Sequence, residues 1–232
     1  MKFLKFTYLL ATLTIAITSC SKDDNLVEEI NKVEIQKKQI QQIIPDIYLD
    51  SLKKLGLTIN TGITPANVEG NYAINPLLLE ATNIPNDVKI GYRFSDARLN
   101  LSKQDADFNI FLLGKNFLAE RDTSIVTAIS GTGNDITVYG KVKSNRGGKV
   151  AEFAIILTAK LENKTFKGFK YGLICISNKN GATDNTFIKE GQGRLIYESD
   201  GLSTAITQQE FLAVTKEKQL LELFGASRLV SP

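Results

Sequence analysis

Apolar and polar positions along this chain change rhythm twice. Between residues 21 and 62 the apolar residues recur every three or four places: Leu26, Ile30, Val33, Ile40, Ile44 and Ile47, with Lys37 filling one place in the series. That spacing lines one side of an α-helix. Pro45 has no amide hydrogen and its ring clashes with the turn before it, so a break is expected near residues 42–44. A second helix is expected over 45–55. Pro45 suits its first turn, Asp46 is favoured there by the helix dipole, and Gly56 suits the left-handed residue beyond its end. Three heptads with a lysine in the seam read as a helical stalk, with an oligomerising coil as the alternative.

From residue 70 to 197 the rhythm is that of strands. Segments 70–74, 88–101, 107–113, 124–130, 135–142, 150–161, 166–177 and 194–198 are rich in Ile, Val, Phe, Tyr and Thr. Turn residues separate them at 131–135, 144–148, 162–164 and 178–181, and loops this short suit antiparallel hairpins. In 135–142, Ile136, Val138 and Gly140 alternate with Thr137, Tyr139 and Lys141, giving one apolar and one wet face. Residues 150–157 are apolar almost throughout, which suits a central position. The fold class predicted is mainly β: an antiparallel up-and-down barrel of about eight strands, with a sandwich as the alternative. Residues 207–224 turn helical again. Thr207 and Glu210 fit a capping box, Phe211, Val214, Leu221 and Phe224 share a face that Lys218 interrupts, and Gly225 can end the helix. This helix is expected on the outside of the β domain, ahead of a frayed tail.

The first nineteen residues follow neither rhythm. Lys2 and Lys5 precede an apolar run over 6–17, and Thr18-Ser19-Cys20 follows it. A charged start, a short apolar run and small residues at a cleavage edge make a leader. The run is shorter than the roughly 20 apolar residues a membrane span needs. A cysteine at that edge can carry lipid, so Cys20 is the expected lipidation site. Several acyl chains would anchor the chain firmly, at about 0.8 kcal/mol per buried CH₂. The expected organisation is a leader over 1–19, a lipidated tether and stalk over 20–62, a β-barrel domain over 63–206, and a C-terminal helix and tail over 207–232. Without the leader's two lysines the chain has 26 basic and 25 acidic residues, a net of +1. Nothing in that balance points to nucleic acid.

Residue usage narrows the chemistry. The chain contains no histidine, which removes Ser-His-Asp and Cys-His nucleophiles and histidine metal ligands. Cys175 is the one cysteine left beside Cys20, so no thiolate zinc site is available. Its apolar neighbours favour a buried, inert thiol. Gly131-x-Gly133 and Gly191-x-Gly193 lie between strands and read as turn glycines, not phosphate cradles. Asp105, Asp107 and Asn109 lack the bidentate glutamate of a calcium loop and read as a solvated edge. Aromatics and lysines interleave over 165–172, either as a stacking platform or as a strand whose Gly168 marks a bulge. No catalytic residue, metal site or cofactor is expected, and the protein reads as a non-enzyme.

Some segments resemble a family. Lys22, Asp23 and Asp24, just after Cys20, resemble the surface-export signal of lipoproteins from the Bacteroidota. The runs 65–76, 91–96, 130–134, 191–197 and 200–202 resemble uncharacterised Bacteroidota lipoproteins of lipocalin-like shape. The resemblance implies a lipid-anchored outer-membrane protein on the cell surface, with a periplasm-facing fate as the alternative. It also implies that Gly70 and Tyr72 open the first strand and that Arg194 stacks on the Tyr72 ring to close one barrel end, with ligand inside. Two functions follow. One is a barrel holding a small apolar or glycan-like ligand. The other is a structural or interaction lipoprotein whose solid barrel binds a protein partner. Small inward-facing residues would favour the first, bulky ones the second.

Overall fold

The computed structural model describes residues 22–117, 122–146, 148–178 and 186–213. Two helices come first, α1 (Lys22–Ile43) and α2 (Asp46–Lys54). Twelve strands follow: β1 (Ile63–Pro65), β2 (Gly70–Ile74), β3 (Leu77–Thr82), β4 (Ala97–Ser102), β5 (Phe111–Lys115), β6 (Asp122–Thr123), β7 (Val126–Gly133), β8 (Asp135–Arg146), β9 (Lys149–Glu162), β10 (Thr165–Ser177), β11 (Gly193–Glu198) and β12 (Leu202–Thr204). A short helix α3 (Gln208–Leu212) ends the described chain.

The break between α1 and α2 falls where Pro45 dictates. Pro45 stands at the N-cap of α2, one place ahead of the first turn, and Gly56 beyond the C-cap takes φ 105°. The Thr207–Glu210 capping box forms in both directions, with Glu210 N–H donating to Thr207 Oγ1 at 3.2 Å and Thr207 N–H to Glu210 Oε2 at 2.7 Å. The remainder of the expected C-terminal helix, with Val214, Leu221 and Phe224, lies outside the described residues.

The strands form two sheets. The larger runs β1-β7-β8-β9-β10-β11-β3, with β12 beside β10, and the smaller runs β2-β4-β5-β6. The large sheet is mixed, because β1 pairs with β7 in parallel. The fold is mainly β, as expected, but no closed barrel is detected. The sheets instead approach each other along two seams, one with an isolated bridge and one with backbone hydrogen bonds. On one side Tyr72 bridges Ala205 and Ile206 N–H donates to Asn71 O at 2.8 Å. On the other, Ile129 N–H donates to Phe108 O at 2.9 Å and Ser124 N–H to Leu112 O at 3.3 Å.

The chain therefore packs in three layers, α1 with α2, the large sheet and the small sheet, and α3 lies against β2 and β4 of the small sheet. One core lies between the sheets, where Tyr72, Leu99, Leu112, Phe117, Phe153 and Tyr171 are buried together. A second lies between the helices and the outer face of the large sheet, built from Ile43, Ile44, Leu49 and Leu52 against Tyr139, Ile156 and Ile174. β9 is covered on both faces, which accounts for its apolar run over 153–157. Gly172 lets α2 approach: a Cβ there would lie 2.9 Å from both Leu52 methyls. The end of α1 and all of α2 thus belong to the domain's packing, and only the start of α1 stands clear as a stalk would.

Candidate functional site

Cys20 lies outside the described residues. Lys22, Asp23 and Asp24 form the first turn of α1, and their side chains are likewise outside the description. No helix among the described residues is long and apolar enough to cross a membrane.

Gly70, Tyr72 and Arg194 do not form one constellation. Gly70 and Tyr72 lie in the second strand, β2, not the first, and the Tyr72 ring stacks on Phe166 with centroids 4.1 Å apart while its hydroxyl donates to Val68 O at 2.9 Å. Arg194 is fully buried and grips Asp87 with two hydrogen bonds, Nε to Oδ2 at 2.8 Å and a terminal nitrogen to Oδ1 at 2.5 Å. Thr82 Oγ1 donates to the same carboxylate at 2.7 Å. Burial pushes the Asp87 carboxyl up, but hydrogen bonds from Arg194 and Thr82 outweigh it and hold it below its usual range. The expected arginine–tyrosine stack is corrected by strand register. Arg194 pairs with Leu173, seven residues along β10 from Phe166. At about 3.3 Å per residue the two ends are roughly 20 Å apart.

Other singled-out residues are structural. Asp105 accepts the backbone N–H groups of Asp107 and Asn109, both at 2.9 Å, and so fastens the turn before β5. No group of three or more metal-ligating side chains occurs among the described residues. In 165–172 the register shifts between Lys167 and Lys170, and Gly168 takes φ 60°. That is the bulge reading: Phe166, Phe169 and Tyr171 turn into the core, and no stacking platform is left. Cys175 is buried, and burial pushes its thiol up to about 12, which leaves it protonated and inert. Gly133 and Gly191, with φ of 57° and 80°, are turn glycines.

A feature that can receive something lies on the other side of the large sheet. A cleft of about 530 Å³ opens between α1, α2 and the sheet's outer face. Val33, Lys37 and Ile40 form one wall, Leu49 and Lys53 the opposite wall, and Leu57, Ile59 and Tyr139 the floor. Gln36 pins the α1 wall by donating to the carbonyls of Gly62 and Ile129, both at 3.0 Å. The Tyr139 hydroxyl is 3.2 Å from Ser130 Oγ, and burial raises it to about 12, so the floor is uncharged. From Val33 at the cleft's edge toward the N-terminus, the same side of α1 carries Leu26, Ile30 and Val33, which are 58%, 51% and 48% exposed. The seven-residue pattern that suggested a stalk is therefore split. Ile44 enters the second core and the first three members face solvent. The cleft itself had no sequence signal, since its walls come from segments joined only by folding.

A second residue without a sequence signal is Glu198. It is buried at the end of β11, and burial, with the Asp200 carboxylate beside it, pushes it up to about 7.

No family model matches this chain, and neither the curated proteins nor the solved structures give a significant match.

Proposed function

We propose that this protein is a lipid-anchored, non-enzymatic scaffold of the outer membrane, displayed on the cell surface, that acts by binding a protein partner. The anchor rests on the leader and on Cys20 at its edge. Surface display rests on Lys22, Asp23 and Asp24 and on the likeness to Bacteroidota surface lipoproteins. We read the two sheets, which approach along both seams, as a flattened barrel of lipocalin-like kind whose interior is filled.

The observation that carries the reading is what fills it. The space between the sheets holds Tyr72, Phe117, Phe153, Phe166, Phe169, Tyr171 and Phe187, all at most 2% exposed. Their rings touch one another, as Phe117 does Tyr171 at 5.2 Å and Phe153 does Phe187 at 5.9 Å. Seven rings take the place a carried ligand would need. A second reading, a small apolar or glycan-like ligand, is favoured by the cleft beneath α1, whose volume falls within the usual range for ligand sites.

Fractionation of cells fed a labelled fatty acid tests the anchor and its address. The protein should take up label and sit in the outer membrane, and protease applied to intact cells should remove it. Cys20→Ser should lose the label and release the chain. Equal labelling of the two forms would defeat the anchor, and protection from protease would reassign the protein to the periplasmic face.

A further inference from the structure

The geometry points to α1 as a docking rail for one kind of partner: an amphipathic helix whose apolar stripe is flanked by lysines or arginines. This rests on the reading of the protein as a partner-binding scaffold, and it names the face and the chemistry. Scattered exposed apolar residues are ordinary on a protein surface. Leu26, Ile30 and Val33 are not scattered. They follow heptad spacing, and their side of the helix runs on through Lys37 and Ile40 into the cleft. From Leu26 to Ile40 is about 21 Å at 1.5 Å per residue, or four helical turns. A strip of that length, apolar at every place but Lys37 and ending in a pocket, matches the recognition of a helix by anchors at i, i+3/4 and i+7.

Charge selects the partner. With Ile30 and Val33 in the seam, Glu29 borders it on one edge and Glu34 on the other. Lys32 lies away from the seam and is tied back to Glu28 at 2.6 Å. Lys38 comes only within 4.0 Å of Glu34, and both are largely exposed, so the Glu34 charge stays available. Each border of the exposed stretch thus carries one carboxylate, while Lys37 lies within the seam. A second copy is a poor occupant in the parallel, in-register arrangement. That pairing sets Glu29 against Glu34 and Lys37 against Lys37, each a repulsion. A helix with basic borders makes the Glu29 and Glu34 contacts attractive instead.

The test uses the mature chain carrying Cys20→Ser, which keeps every described residue and avoids detergent. The probes are two fluorescein-labelled synthetic helices of three heptads, with Ile and Leu in the seam and either lysine or glutamate on both borders. Fluorescence anisotropy at 0.15 M salt should show saturable binding of the lysine helix and at least tenfold weaker binding of the glutamate helix. Ile30→Asp adds negative charge but interrupts the rail, so it should weaken the lysine helix at least tenfold. Glu29→Lys with Glu34→Lys should reverse the preference between the two helices. Tighter binding by Ile30→Asp, or equal binding of both helices, would show unspecific attraction and overturn the proposal. Sedimentation of the same chain separates the remaining outcomes. A dimer that Ile30→Asp dissociates, with no peptide binding, would overturn the basic-helix partner in favour of a second copy and leave the scaffold reading standing. A monomer that binds neither helix would overturn both.

Discussion

Removing Arg194 should destabilise the fold in a way that depends on pH with a sign opposite to that of the native protein. The guanidinium and the Asp87 carboxylate are both buried, at 0% and 1% side-chain exposure, and are joined by two charge-assisted bonds. Such bonds contribute about 1.5–3 kcal/mol each, and deleting one member of a buried pair costs about 3–5 kcal/mol because the other is left uncompensated. A domain is stable by only about 5–15 kcal/mol, so Arg194→Met should lower the urea midpoint substantially at pH 8. In the native protein Asp87 is held below its ordinary 3.8. The unfolded chain then binds more protons in acid, so the pair's contribution is present above pH 3.8 and is lost as pH falls below it. Without the guanidinium, burial is opposed only by the hydrogen bonds from Thr82 and Val88 and should raise Asp87. The variant's folded form then binds the proton more tightly, so its stability is greatest in acid and declines as pH rises through the raised value. Melts followed by far-ultraviolet circular dichroism from pH 2 to pH 8 would read both slopes. The chain has no tryptophan to report by fluorescence. Asp87→Leu combined with Arg194→Met should recover much of the loss, since an apolar replacement of both partners is often neutral or better. A cost under about 1 kcal/mol that does not change with pH would refute the account of this pair.

Glu198→Gln should leave stability unchanged at pH 4 and raise it by about 1–3 kcal/mol at pH 8. The native carboxyl sits at about 7, so its stabilising protonation is complete below 4.5 and lost as pH rises through 7; urea melts at the two pH values decide it. Gly172→Ala should cost about 1–3 kcal/mol through overpacking, because the new methyl meets Leu52. Hydrogen exchange should show the added opening concentrated in α2, and unchanged protection there would count against the close packing. Replacing Lys22, Asp23 and Asp24 together by alanine should leave lipidation intact and reduce protease access on whole cells, and unchanged access would make these residues a tether only.

Local chemistry was legible in the sequence wherever one residue type dictates a backbone. Pro45 set the helix break, Gly56 its end, the Thr207–Glu210 pair the start of α3, and Gly168 the bulge in β10. Contacts between distant segments were not legible. The strand expected over 88–101 is a strand only from Ala97. Its earlier part loops back on β3, with Gly91 at φ 83° and Phe94 N–H donating to Leu77 O. That loop carries Asp87, so the partner of Arg194 could not be read from spacing. β3 was missed because Leu-Leu-Leu-Glu lacks alternation, and it forms because β11 offers it a pairing edge. The parallel β1–β7 pair joins residues almost seventy positions apart and changes an all-antiparallel expectation into a mixed sheet. The heptad stripe of α1 was read correctly as a stripe, but only the fold shows which half is buried and which half meets solvent.

Native mass spectrometry of the protein extracted from its own membrane tests the central claim most directly. The account predicts one species: the chain from Cys20 onward, bearing acyl chains on that residue, with no small molecule retained between the sheets. A stoichiometric small-molecule adduct that persists when the cleft is blocked by Val33→Trp would place a ligand in the interior and contradict the filled scaffold, and an unmodified Cys20 would contradict the anchor.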